Sequence, residues 1–256
     1  MMIWNDDKTG QNPIAVTVSN QKTLLSDIRN RFENGQGFSV ATLNLDHVVK
    51  LRHDPAFLTA YQAQSHVTAD GNPIVWLARL AGQGDVELVP GSELIAPVSE
   101  LAAEVDMPVA LFGSTEASLE AAAEALRARY PGLKLVLTLA PPMGFDPVGE
   151  AADAAIAAIG DSGARLVFLA LGAPKQERFA AYAQDKLPAT GFISIGAGLD
   201  FISGLQTRAP AFVRAIAAEW LWRMLGNPKR LAARYGACLL ILPGLVLKAL
   251  RQKRAV

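Results

Sequence analysis

LVFLALGAPKQE, Leu166 to Glu177, is the stretch whose reading decides the fold. Leu166 to Leu171 is an unbroken apolar run, where a strand with one wet face would alternate apolar with polar. Such a run matches a strand in the middle of a parallel sheet, covered by helices on both faces. Gly172-Ala173-Pro174 then turns the chain, and Lys175-Gln176-Glu177 opens a helix. In open sheets of this kind ligands bind outside the carboxyl ends of the strands, where these three polar side chains stand.

The same alternation extends in both directions. Strands are predicted over Ile14–Ser19, Phe38–Leu43, His66–Thr68, Val109–Phe112, Leu133–Leu139 and Phe192–Ile195. Helical spacing fills the intervals, with Asp54-Pro55 as a helix start and Pro131-Gly132 as a stop. Strand and helix in this rhythm predict an α/β, Rossmann-like fold, a mostly parallel sheet flanked by helices. Residues 1–13 read as a mobile lead-in, 14–206 as the α/β domain, and 207–256 as a basic helical appendage. Within the appendage, Phe212 to Leu225 is helical and carries Trp220 and Trp222, which suit packing or interfacial anchoring better than stacking on a sugar. Cys238 to Leu247 is apolar but interrupted by Pro243-Gly244, which leaves it short of the ~20 residues of a spanning helix. An interfacial segment fits that run, and a C-terminal helix packed on the core is the plainer alternative.

Composition removes several classes. One cysteine among 256 residues excludes an internal disulfide and suits a reducing compartment. The N-terminus has Asp6 and Asp7 where a signal peptide needs an apolar run. His47, His53 and His66 share no metal-ligand spacing, and no metal or cofactor is expected. The chain's 24 basic and 24 acidic residues cancel, yet residues 207–256 hold ten basic side chains against Glu219 alone, +9, which leaves −9 before them. That tail is compatible with an anionic membrane surface, a phosphate-rich ligand or nucleic acid. Its cations alternate with long apolar runs, which favours lipid over nucleic acid.

Several stretches taken together resemble the WecG/TagA/CpsF family of bacterial glycosyltransferases. They are TLNLDHVV (42–49), ADG (69–71), VPGSEL (89–94), LGAPKQE (171–177), GAGLDFISG (196–204), RAP (208–210) and EWLWRML (219–225), in the family's order. The resemblance implies inverting transfer of a sugar from a UDP-sugar to a saccharide on undecaprenyl diphosphate, at the cytoplasmic membrane face, and it allows self-association. It also implies that Asp70 is the catalytic base. The plainer reading makes Asp70 a cap for the helix near Pro73.

Such a reaction needs a base for the acceptor hydroxyl and positive charge for the leaving diphosphate. Thr42 and Asn44, at a strand end, can bond sugar hydroxyls, although Asn44 would equally cap the next helix and Thr42 would equally be an ordinary strand residue. Gln176 is the next candidate as a donor to substrate, with Lys175 beside it; Lys175 and Glu177 read equally well as a solvated pair. Asp200 and the turn Gly196 to Gly198 read as a second rim loop, with a purely structural glycine turn as the alternative, and the Gly113-Ser114-Thr115 turn offers N–H groups to a diphosphate. No Asp-x-Asp metal pair of the kind common in sugar-nucleotide transferases is present, so arginines are expected to take the metal's place. Arg208, Arg214, Arg223, Arg230 and Arg234 are the candidates; a solvated basic face is the alternative.

Two positions depart from the family pattern: Leu88 stands where members carry an arginine, and Glu93 where they carry Asp. The apolar loop Pro141 to Phe145 holds nothing to read a sugar hydroxyl. The donor's identity is therefore not carried over; N-acetylmannosamine-type and glucose-type hexoses both remain. A nucleotide-dependent oxidoreductase is disfavoured because no G-x-G-x-x-G follows the first strand. A non-catalytic membrane-associated scaffold is the remaining alternative, with Leu88 its best support.

Overall fold

The computed structural model describes residues 1–5, 12–204, 210, 213, 219–226 and 228–254. Among them, six strands form one sheet: β1 Phe38–Leu43, β2 His66–Ala69, β3 Val109–Gly113, β4 Leu135–Leu139, β5 Leu166–Ala170 and β6 Gly191–Ser194. Their order is β2-β1-β6-β5-β3-β4, and every pairing is parallel. The helices are α1 Gln21–Glu33, α2 Leu45–Leu51, α3 Pro55–Gln62, α4 Asn72–Leu80, α5 Gly91–Glu104, α6 Glu116–Arg129, α7 Glu150–Asp161, α8 Lys175–Gln184, α9 Gly198–Ile202, α10 Glu219–Gly226 and α11 Pro228–Arg254. The expected α/β architecture is the one observed.

β5 shows why its sequence is apolar without a break. Leu166 and Phe168 join the cluster under α1, α5 and α6, whereas Val167 and Leu169 join the one under α7 and α8. Successive side chains point to opposite faces, and both faces are covered. Each such burial contributes about 1.5–3 kcal/mol. β4, at the edge, instead alternates half-buried and exposed residues. Side chains cap the starts of α1, α2, α3 and α6, from Asn20, Asn44, Asp54 and Thr115.

Three expectations change. Ile14–Ser19 runs extended beside β2 but is not a strand: the Thr17 hydroxyl, not a backbone carbonyl, accepts the Val67 N–H at 2.8 Å, so no ladder develops. The lead-in expected to be mobile is packed on the fold over residues 1–5, with Met2 and Trp4 buried; residues 6–11 lie outside the described part. The C-terminal run is not cut at Pro243-Gly244. α11 passes through Pro243, and the carbonyl that loses its donor belongs to Leu239, an exposed residue. Within α11, the 23 residues Leu231–Lys253 are long and apolar enough to cross a membrane, by length and composition alone. One side of α11 packs on α2 and α4 through the buried Leu245 and Ala249, as the plainer reading of the tail expected. Lys248 Nζ donates to the Asn5 carbonyl at 2.7 Å, and the Ile3 N–H donates to Gln252 Oε1 at 3.2 Å.

Candidate active site

β1 and β2 run in register, Leu43 opposite Ala69, so the next residues, Asn44 and Asp70, leave adjacent strands at the same level. Asn44 uses both ends of its amide. Its Oδ1 accepts the His47 N–H at 3.0 Å and so caps α2, while its Nδ2 donates to Asp70 Oδ2 at 3.3 Å. The cap reading of Asn44 and its place at the rim are thus both true. Asp70 does not cap α4: that position belongs to Gly71, and no side-chain hydrogen bond caps the helix. Gly71 has φ of 102°, which an L side chain rarely adopts, so the turn after Asp70 calls for glycine. Asp70 stays half-buried at the carboxyl end of β2.

On β5 and β6 a second pair converges. Gln176, buried in the first turn of α8, accepts the Gly196 N–H on Oε1 at 3.2 Å and donates from Nε2 to Glu177 Oε1 at 2.9 Å. Glu177 is wholly buried, and the expectation of a solvated Lys175–Glu177 pair is overturned for it. The inward face of α8 is Gln176, Glu177, Phe179, Ala180 and Ala183; Lys175, one residue earlier, stays partly exposed. Burial pushes the Glu177 carboxyl up to about 7, opposed by its bond from Gln176, by a bond from its own backbone and by the field of Lys50.

Beneath this rim His47, Phe57 and Tyr61 pack edge to face. Burial depresses His47 to about 3, against the opposing pull of Asp46, so the ring is neutral. Tyr61 is raised well above its ordinary range, first by burial and then by the Glu177 and Asp70 charges. It therefore stays a phenol, placed 3.1 Å from His47 Nδ1 to donate to it.

Thr42 is buried within β1, with the other five residues of that strand. Asp200 lies on the β3 side of the rim, where its Oδ1 accepts from Ser114 Oγ and Ser118 Oγ, both at 2.8 Å. Ser114, at φ 55°, and Thr115 line a shallow groove of about 610 Å³ with Pro141, Pro142 and Met143. The Ser114 N–H is already given to the Ala170 carbonyl at 3.1 Å, so the free N–H groups expected of that turn begin no earlier than Thr115. Arg234 pairs with Asp46 Oδ2 at 2.8 Å, and Lys50 Nζ reaches the same oxygen at 2.8 Å. Arg208 and Arg214 lie outside the described residues, as do the side chains of Arg223 and Arg230.

A family model described as the glycosyl transferase WecG/TagA/CpsF family matches residues 12–256. The chain belongs to this family. Two similar relatives, both named N-acetylglucosaminyldiphosphoundecaprenol N-acetyl-beta-D-mannosaminyltransferase, come from Staphylococcus aureus strains MW2 and NCTC 8325 / PS 47. Each is 26% identical over 214 residues, 84% of this chain and 80% of the relative. In this family member, stretches far apart in sequence stand together at the carboxyl ends of the parallel strands. TLNLDHVV brings Asn44, ADG brings Asp70, GAPKQE brings Gln176, and GAGLDF brings Gly196 and Asp200. VPGSEL serves packing there: a Cβ on Gly91 would lie 2.3 Å from the Ser194 carbonyl oxygen. Lys50 and Tyr61, beside these residues, were not named from the sequence; Glu177 was named at the rim, but its burial was not expected. For Glu177 a signal existed, since the spacing of Phe179, Ala180 and Ala183 carried back one turn reaches Gln176 and Glu177.

Proposed function

We propose that this family member transfers a hexose, of the N-acetylmannosamine or glucose type, from a UDP-sugar to a saccharide carried on undecaprenyl diphosphate. The transfer inverts the anomeric carbon, needs no metal ion, and serves synthesis of a cell-surface polysaccharide at the cytoplasmic face of the membrane. The observation that carries this reading is Asp70, a carboxylate at a strand end that caps no helix and is held by the Asn44 amide. The relatives' name, with its undecaprenol-linked acceptor and transferred mannosaminyl group, supports the substrate class.

In the reaction the acceptor hydroxyl loses its proton to the Asp70 carboxylate as its oxygen attacks the anomeric carbon. The bond from that carbon to the diphosphate breaks, and UDP leaves with the electron pair. Asn44 keeps one carboxylate oxygen in place, while Gln176, Thr42, Lys175 and Asp200 hold the donor along the same rim. Arg208, Arg214, Arg223, Arg230 and Arg234 neutralise the departing diphosphate. Arg234 spends part of its fork on Asp46; a guanidinium carries five donors and can serve both. With arginines in that role, transfer is expected to run at an unchanged rate in EDTA. Activity that vanishes with EDTA and returns with magnesium or manganese defeats the metal-independent mechanism.

The face of α11 turned away from the core supports attachment to an anionic membrane surface. Leu240 is 83% and Leu247 57% exposed, two turns apart on one face, with the exposed Arg251 one turn further along it. Leu240→Glu with Leu247→Glu leaves the buried Leu245 and Ala249 untouched. The affinity for phosphatidylglycerol vesicles, read by sedimentation, is expected to fall at least about thirtyfold, since about 1–3 kcal/mol of apolar burial is lost for each leucine. Unchanged sedimentation of the double variant removes α11 as the membrane contact.

A further inference from the structure

We infer that Glu177 is a positioning residue for sugar transfer, its carboxylate clasping the Gln176 amide so that Gln176 meets the substrate as a hydrogen-bond donor. The inference rests on the reading of Gln176 as a substrate ligand, and it concerns what holds that ligand in one orientation.

The Gln176 amide is fixed from two sides. Its Oε1 accepts the Gly196 backbone N–H at 3.2 Å, and its Nε2 donates to Glu177 Oε1 at 2.9 Å. Turning the amide over would set an NH₂ against an N–H and an oxygen against a carboxylate, losing both bonds. The amide therefore keeps its nitrogen at the Glu177 side with one N–H to spare. A sugar hydroxyl or a diphosphate oxygen can accept from that N–H.

Among the described residues, no side chain other than Gln176 bonds the Glu177 carboxylate; its other hydrogen bond is to the backbone of Glu177 itself. Its Oε2 is buried without a hydrogen bond, and Gln64 Nε2 donates at 3.2 Å to the Glu177 backbone carbonyl, not to the carboxylate. Lys50 acts on the carboxyl through its field but gives its hydrogen bond to the Ala173 carbonyl at 3.1 Å and its ion pair to Asp46. A methionine of similar volume would fill this position without the cost of desolvating a carboxyl group. What methionine lacks is an acceptor for Gln176.

The test compares Glu177→Met, Glu177→Gln, Gln176→Ala and the double variant Gln176→Ala/Glu177→Met, with UDP-N-acetylmannosamine and UDP-glucose as donors and a synthetic polyprenyl-diphosphate glycan as acceptor. Glu177→Met is expected to lower kcat/KM roughly tenfold or more, the scale of a lost charge-assisted hydrogen bond. Its melting temperature stays at or above that of the unaltered chain, which a merely structural role would not allow. Glu177→Gln, which keeps an acceptor, recovers most of the loss. On the Gln176→Ala background, Glu177→Met adds nothing, because its effect passes through Gln176. A Glu177→Met variant as active as the unaltered chain overturns the inference, and so does one whose loss multiplies that of Gln176→Ala.

An NMR measurement reads the clasp without catalysis. The Gln176 side-chain N–H resonances, assigned by their disappearance in Gln176→Ala, are expected to exchange slowly with solvent in the unaltered chain and in Glu177→Gln, and fast in Glu177→Met. Equal exchange in all three overturns the clasp. A chain that transfers no sugar from any donor while showing this exchange pattern sinks the transferase reading and leaves the clasp standing.

Discussion

Asp70→Asn is expected to lower sugar transfer by about 10²- to 10⁴-fold, the range for loss of a general base, with KM for the donor little changed. The amide occupies the space of the carboxylate but cannot take up a proton. The hydrogen bonds described at this position are kept. Asp70 caps no helix, and the side-chain oxygen of the introduced asparagine can still accept the bond from Asn44 Nδ2. The backbone N–H at this position still donates to the Leu43 carbonyl at 2.8 Å. A melting temperature within a degree or two of the unaltered chain, on the scale of about 1 kcal/mol or less, separates the two effects. Turnover near that of the unaltered chain removes Asp70 as the base.

The second large effect is on stability and comes from Glu177. Its carboxyl has an ordinary value of 4.5 and is raised by burial to about 7 in the fold. Between those values the folded chain holds a proton that the unfolded chain has released. Stability from this group is therefore complete below pH 4.5 and is lost as the pH rises to about 7, after which it falls no further. At 1.36 kcal/mol per unit, the loss is about 3 kcal/mol. Urea unfolding at pH 5 and pH 8 of the unaltered chain and of Glu177→Gln tests this. The unaltered chain is expected to lose about 2–3 kcal/mol relative to the variant on going from the lower to the higher pH. His47, His66 and Asp27 titrate alike in both proteins and cancel in the comparison. A difference between the proteins that is the same at both pH values contradicts a carboxyl buried in this way.

The sheet was legible because its central strand carries the evidence for both of its faces: Leu166 and Phe168 belong to one cluster, Val167 and Leu169 to the other. The caps at Asn44 and Asp54 were legible because capping is local, a side chain reaching an N–H three residues on. Ile14–Ser19 misled because alternation reports burial, and Ile14, Val16 and Val18 are buried without joining the ladder. Pro243 misled because a proline ends a helix in general, whereas here the packing of Leu245 and Ala249 on the core carries the helix through it.

The candidate site was legible in its members more than in its bonds. Asn44, Asp70 and Gln176 could each be named from the chain. The register that sets Asn44 against Asp70 is a property of two paired strands. The Asp46–Arg234 pair joins the first turn of α2 to α11 and has no local signature at all. Glu177 was hidden by its type, since a glutamate at a helix start is ordinarily solvated. The spacing of Phe179, Ala180 and Ala183 points its side inward, and the packing of α8 against α3 and β6 sets how deeply it is buried.

The central claim is direct displacement of UDP by an acceptor hydroxyl that Asp70 deprotonates. It is tested most directly by the anomeric configuration of the sugar that the unaltered chain transfers from a UDP-α-hexose to a polyprenyl-diphosphate glycan, read by NMR of the product. A β-linked product is the expected result. An α-linked product, or none from any donor in a panel of UDP-hexoses, contradicts the claim.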